Sequence, residues 1–131
     1  NQLEGLKIAL SKGYKNIAIT VIPSPMIKEL REYPLDDDVN VYIFVAHTTG
    51  VNAEEAEMLF EYGDIVTACA SKEVSRYADE HQPYYYGTKV PIFCATEDGK
   101  RFLDNRLEKI NKPLSTKDYP RDKSDSPHEL I

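Results

Sequence analysis

Short apolar segments alternate with helical segments along most of this chain, and this alternation limits the fold more than any other feature. Four segments rich in β-branched and aromatic residues are expected to be strands, at residues 16–22, 41–46, 65–70 and 90–95. Each is followed by a polar helix-capping residue and then by apolar residues at helical spacing. Strands that alternate with helices indicate βαβ units, a parallel sheet and, through right-handed crossovers, helices on both faces.

The predicted domain covers residues 1–110 and is a three-layer α/β/α sandwich with about four parallel strands, Rossmann-like or flavodoxin-like in architecture. Residues 111–131 carry three prolines and many charges, which predicts an irregular C-terminal tail. The chain opens on Asn1 rather than Met. This is expected of a processed chain or of the C-terminal domain of a longer protein, in which a fifth strand would precede Asn1.

Charge and composition exclude some classes of function. The formal net charge of −6 argues against nucleic-acid binding, which depends on Lys and Arg neutralising phosphates. No apolar run approaches the roughly 20 residues of a membrane span, and the first residues do not form a secretory signal. Two cysteines, Cys69 and Cys94, are too few for a disulfide framework. Reduced thiols in the cytoplasm are therefore expected.

Polar side chains follow two successive predicted strands where each strand ends. In parallel α/β proteins, ligands bind outside the carboxyl ends of the strands. Backbone N–H groups at a helix start can also hold an anion, although a capping residue there has a purely structural explanation as well. Acidic first turns disfavour the junctions at Asn52 and Thr96. The remaining ligand-binding candidates are Ser24, Thr48, Thr49, Gly50, Ser71 and Lys72.

His47 and Cys69 are the candidate catalytic residues. His47 directly follows an apolar strand and could act as a general base or a metal ligand; equally, it could simply bond a loop carbonyl. Cys69 occupies the corresponding place on the next strand, where a helix start would favour the thiolate. Together they could form a nucleophile and base, and Cys94 would complete a His/Cys/Cys zinc set. Against this, a cysteine in a core strand is usually a small apolar residue, and Cys94 is expected to point into the core.

Motifs for known cofactors are lacking. Nothing matches a glycine-rich dinucleotide loop, a P-loop or a His-x-x-x-His metal motif, so the cofactor stays unknown and no metal site is predicted beyond the weak candidates His47 and Cys69. The tyrosines at 84–86 resemble a binding platform, but they lead into a strand. Packing over a sheet edge is the preferred interpretation.

Two stretches resemble methanogenesis marker protein 8, an uncharacterised archaeal family that occurs with the methane-forming pathway. They are Val-Tyr-Ile-Phe-Val-Ala-His-Thr-Thr-Gly at 41–50 and Asp-Ile-Val-Thr-Ala-Cys-Ala-Ser-Lys at 64–72. A looser similarity continues through residues 90–93 and the helix after them. The resemblance implies a cytoplasmic, anaerobic setting and a longer parent protein. It implies no activity, cofactor or catalytic residue.

Two functions follow as hypotheses. The first is an accessory or assembly factor that acts through protein contacts, supported by the acidic surface and the absence of a catalytic motif. The second is a small-molecule or anionic-ligand-binding enzyme with its site at the strand ends. A protein partner, a homo-oligomer or a small anionic ligand would fit these hypotheses, whereas nucleic acid and membrane would not.

Overall fold

A computed structural model describes residues 1–128 and contains a five-stranded sheet with five helices. The strands are β1 (Asn16–Val21), β2 (Asn40–Val45), β3 (Ile65–Thr67), β4 (Tyr84–Tyr86) and β5 (Ile92–Cys94). The helices are α1 (Gln2–Ser11), α2 (Met26–Glu32), α3 (Ala53–Tyr62), α4 (Lys72–His81) and α5 (Glu97–Lys109). No helix within the described range is long and apolar enough to cross a membrane.

The strand order is β1-β2-β3-β5-β4, and the sheet is mixed. β1, β2 and β3 are parallel, as predicted. The segment at 90–95, predicted to be the fourth parallel strand, instead runs antiparallel to both of its neighbours. The reason is the tyrosine run, which is itself the edge strand β4 and is joined to β5 by the five-residue turn 87–91. Strands joined by so short a turn must be antiparallel.

Helices cover both faces of the sheet, so the three-layer α/β/α prediction is confirmed. The first four helices, α1 to α4, each contact the next one along the chain. They cover one face of the sheet, and the main core lies between them and that face. α5 lies on the other face, where Leu103 and Leu107 pack against Cys94. Because side chains alternate along a strand, Tyr42 and Phe44 of β2 face α5 and contact Phe102 edge-on.

Asp64 ties three elements together at the start of β3. Its buried carboxylate accepts hydrogen bonds from Arg31 Nη2 at 2.6 Å, from the Ile43 N–H at 2.8 Å and from Thr96 Oγ1 at 2.7 Å. Thr96, the cap of α5, therefore lies beside the beginning of β3. Four parallel strands, as predicted, would have placed all four strand-to-helix junctions at one sheet edge; the reversed β5 instead carries Thr96 to the opposite edge.

The segment after α5 packs on its own domain. Thr116 forms an isolated antiparallel bridge with Tyr85, which covers the β4 edge. Asp104 of α5 accepts hydrogen bonds from the Ser115 N–H and hydroxyl, at 3.0 and 2.6 Å. Tyr119 donates to the Pro83 carbonyl at 2.6 Å. These contacts carry the chain to the carboxyl end of β3.

Candidate functional site

The junctions after β2 and β3 lie side by side, because these strands are parallel neighbours with Val45 opposite Val66. The backbone turns sharply just after each of these two strands. His47 and Cys69 adopt positive φ values of 58° and 50°, in the left-handed region that few non-glycine residues occupy. The two predicted junctions are thus companions in the fold.

Two threonines fasten these junctions to each other. The fully buried Thr48 places its hydroxyl 2.7 Å from the Thr67 carbonyl and 2.8 Å from the Ala68 carbonyl. Thr49 Oγ1 accepts a hydrogen bond from the Ala70 N–H at 3.0 Å. Thr48, a predicted ligand-binding residue, is thereby committed to internal hydrogen bonds and has no exposed surface.

A cavity of about 560 Å³ opens at the end of β3. The β3–α4 loop forms its floor, the β4–β5 turn forms one wall and the C-terminal segment 121–128 forms the other; we call it the tail cavity. Of the predicted site residues, Cys69 and Ser71 line it. Ser71 is also the cap of α4, since its Oγ accepts a hydrogen bond from the Val74 N–H at 3.2 Å. Lys72, at the start of α4, is exposed and does not line the cavity.

His47 belongs to a different hollow. Its exposed ring borders a depression of about 270 Å³ together with Thr49, Gly50 and Glu55. The structure therefore brings the loops of His47 and Cys69 together but opens the two side chains into separate spaces. The remaining candidate, Ser24, accepts a hydrogen bond from the Met26 N–H at 3.2 Å at the start of the short helix α2.

Cys94 is far from both candidates. It is buried against α5 and pairs in register with Ile65 at the start of β3, whereas Cys69 follows the end of that strand. Burial raises the pKa of the Cys94 thiol to about 12. The His/Cys/Cys set considered from the sequence is thus not assembled. Within residues 1–128, no group of three His, Cys, Asp or Glu side chains could hold a metal ion.

Arg121 is the residue that the sequence did not reveal. Its side chain is only 3% exposed, and it crosses from the tail to α4. Nε and Nη2 donate to Asp79 Oδ1 at 3.1 and 2.9 Å, and Nη2 also donates to Ser75 Oγ at 2.8 Å. Its guanidinium carbon lies 5.1 Å from the centre of the Phe93 ring. Such a cation is fixed in place, because its counter-ion and a ring face hold it.

The third guanidinium nitrogen, Nη1, has no hydrogen-bond partner within the described chain. Every buried side-chain nitrogen or oxygen of residues 1–128 has a hydrogen-bond partner, so Nη1 keeps some contact with solvent although the side chain as a whole is only 3% exposed. Arg121 is among the residues that line the tail cavity. The cavity wall therefore includes a guanidinium that is held in place by its ion pair.

Two lysines add to this charge. Lys123 follows in the tail and pairs with the other oxygen of Asp79 at 2.6 Å. Lys89 comes from the β4–β5 turn, and it forms no ion pair with any described residue. Both line the cavity, and no aspartate or glutamate does so within the described chain. An acidic protein thus concentrates positive charge at one strand end.

Comparison with known proteins gives a family but no activity. A profile described as an uncharacterized protein conserved in archaea (DUF2099) matches residues 1–108. This chain belongs to that family. It is 33% identical over 132 aligned positions to uncharacterized protein MJ0054 of Methanocaldococcus jannaschii. The alignment covers 100% of the chain but 46% of the relative, so the chain spans about half the length of that protein. No solved structure matches the chain.

Proposed function

We propose that this domain binds a small anionic molecule in the tail cavity. The observation that carries the proposal is the guanidinium of Arg121, which is buried, is held by Asp79 and lines the cavity. Burying an arginine is costly unless it is paired, and a guanidinium held by a carboxylate is pre-organised to donate to an anion as well. Lys89 and Lys123 supply further positive charge at the same wall.

The start of α4 supports the same conclusion. Ser71 lines the cavity floor and caps this ten-residue helix, whose first N–H groups give its N-terminus partial positive charge. Glu73 in the first turn offsets part of this charge but is itself paired with Arg76, so the cationic wall carries more of the proposal than the helix start does. A volume of about 560 Å³ is also within the range of about 300–1,000 Å³ that accommodates small molecules.

Catalysis by a Cys69–His47 pair is not part of this proposal. A nucleophile and its base must lie within hydrogen-bond reach, and these two side chains line separate hollows. Cys69 does line the tail cavity, so its thiol lies beside the bound molecule. The domain is therefore proposed as a ligand-binding unit.

An anion titration followed by NMR tests this function. Acetate, sulfate and inorganic phosphate are added separately at constant ionic strength, with chloride as the balancing salt. At least one of them should shift the amide signals of Cys69, Ala70 and Ser71 saturably. Lys123→Gln should weaken that binding, whereas Lys112→Gln, a matched change of an exposed lysine that does not line the cavity, should leave it unchanged. The absence of saturable shifts for all three anions would refute the proposal.

A role through protein contacts, here with a second copy of the chain, is the second candidate, and a different surface favours it. The β1 edge of the sheet is open, while the tail covers the opposite edge at β4. β1 contains no proline or charged residue of the kind that blocks unwanted pairing. Beside it, Thr20, Phe44 and Phe102 border an apolar groove of about 410 Å³.

The occupant that we assign to this edge is a second copy of the chain, because a strand can pair antiparallel with its own twofold mate. Sedimentation velocity should then show a dimer that Thr20→Lys, which places a charge on an exposed position of β1, converts to monomer. Lys12→Thr in the loop after α1 is the surface control and should leave the dimer intact. A wild-type monomer at all concentrations tested would exclude this contact.

The link to methane formation and the cytoplasmic location are also proposals. They rest on the resemblance of residues 41–50 and 64–72 to methanogenesis marker protein 8. Co-purification of this protein with a known enzyme of that pathway, under anaerobic conditions and with a tagged unrelated protein as control, would test the link. Recovery of the same enzyme with the control would contradict it.

A further inference from the structure

We infer that the tail cavity binds the phosphate group of a small phosphate monoester, an inference that rests on the proposed anion binding. The first argument is charge. Among residues 1–128, three cationic side chains line the cavity, from Lys89, Arg121 and Lys123, and no carboxylate does; Asp79 pairs with Arg121 and Lys123 without lining the cavity. The described lining is therefore positive, which favours a dianion over a monoanion. A phosphate monoester carries about −1.5 to −2 at neutral pH, whereas a carboxylate or a phosphate diester carries about −1.

The second argument is the arrangement of donors. Arg121, held by Asp79, lines the cavity on the tail side, and Lys89 lines it from the β4–β5 turn on the other. Ser124 adds an exposed hydroxyl group in the tail, whereas the hydroxyl of the buried Ser71 is used to cap α4. A phosphate monoester has three terminal oxygens that accept hydrogen bonds in three directions, so it can use donors on separate walls at once. A planar carboxylate has two oxygens on one side.

The third argument is size. The cavity is large enough for a whole small molecule, and a phosphate group fills only part of it. The rest of its floor and wall is less polar, with Ala68 and Pro91 beside the cationic groups. The phosphate is therefore placed at the Arg121 side, and the organic part of the ester lies against this apolar surface.

Three probes of graded charge test the inference by NMR titration: methyl phosphate, dimethyl phosphate and acetate. Methyl phosphate should bind at the Cys69, Ala70 and Ser71 amides at least about tenfold more tightly than either monoanion, the scale of one charge-assisted hydrogen bond. Lys89→Gln should weaken methyl phosphate at least about threefold. Folding is not at issue in this variant, because Lys89 is exposed and has no ion-pair partner in the described chain. Lys12→Gln, at an exposed lysine that does not line the cavity, is the matched control.

The outcomes separate this inference from the proposed function. Equal affinity for the three probes would overturn the phosphate assignment and leave anion binding in place. No saturable shift at these amides with any probe would overturn both. Unchanged methyl phosphate affinity in Lys89→Gln would show that the excess charge of the cavity is not what selects the ligand, and would also overturn the phosphate assignment.

Discussion

Arg121 and Asp79 form a two-point ion pair, in which Nε and Nη2 of the guanidinium both donate to one carboxylate oxygen at 3.1 and 2.9 Å. The pair joins the C-terminal segment to α4. Since Lys123 uses the other oxygen of the same carboxylate, Asp79 orients both tail cations that line the cavity. The candidate site therefore depends on a contact between the buried Arg121 and the partly exposed Asp79, which are 42 residues apart in the chain.

Asp79→Asn should destabilise the protein by about 1–2 kcal/mol. Removing one partner of a fully buried ion pair costs about 3–5 kcal/mol, but Asp79 is 38% exposed and water will replace part of its contribution. Urea denaturation would measure the loss in the free energy of unfolding. Glu32→Gln, which breaks an exposed pair with Lys28, is the control and should cost less than about 0.5 kcal/mol. Equal effects for the two variants would show that the tail contact is only a surface pair.

Local sequence patterns predicted most of the fold, because they record burial and capping. The β-branched runs identified β1 to β3, and the polar residue that follows β2 and its loop, Asn52, does cap α3. The direction of β5 was not predictable in this way. The direction of β5 depends on whether residues 84–86 form a strand. Three tyrosines beside a proline are equally compatible with a loop and with an edge strand.

Only some residues of the candidate site could be predicted from the sequence. Cys69 and Ser71 follow a strand directly, so the general position of ligand sites in parallel sheets identified them. Arg121 and Lys123 reach the same cavity from a proline-rich segment with no periodicity. Their placement depends on long-range contacts such as Tyr119 with Pro83, which no local pattern encodes. The Arg-Asp-Lys sequence at 121–123 was the one local feature that could have indicated a cationic site. Charged residues of this kind are equally typical of a solvent-exposed tail.

The contact between Asp104 and Ser115 should make stability depend on acidic pH. Although burial acts to raise it, hydrogen bonds from Lys100 and from the Ser115 hydroxyl and N–H lower the pKa of Asp104 below its ordinary value. A carboxylate with a lowered folded-state pKa contributes stability above its unfolded pKa of about 3.9 and loses it as pH falls through the folded value. The unfolding free-energy difference between wild type and Asp104→Asn should be constant from about pH 8 to 5 and shrink below about pH 4. A difference that does not change with pH would contradict this.

Two glycines in helices should respond to alanine with opposite signs. Gly5 of α1 has nothing within 4 Å of the position of a Cβ atom, so Gly5→Ala should stabilise by up to about 1 kcal/mol through helix propensity. Gly99 in the first turn of α5 is packed directly on the Asp64 carbonyl, and a Cβ atom there would overlap it. Gly99→Ala should therefore destabilise by about 2 kcal/mol or more, since backbone must move. Thermal or urea unfolding of the two variants would check the prediction, and a stabilising Gly99→Ala would refute the close contact.

The two cysteines should differ in reactivity, and the difference reports on the tail cavity. Cys94 is buried, and with a pKa of about 12 it stays protonated and unreactive near neutral pH. Cys69 is partly exposed at the cavity floor, so a thiol reagent at pH 8 should modify one cysteine in the folded protein and two in urea. Cys69→Ser should abolish the folded-state reaction. Saturating methyl phosphate should slow modification of Cys69 in the wild type, because the ester and the reagent compete for the same space. In Lys89→Gln, a higher concentration of methyl phosphate should be required for the same protection of Cys69. If the variant is protected at the same concentration as the wild type, the protection of Cys69 does not report on the proposed phosphate site.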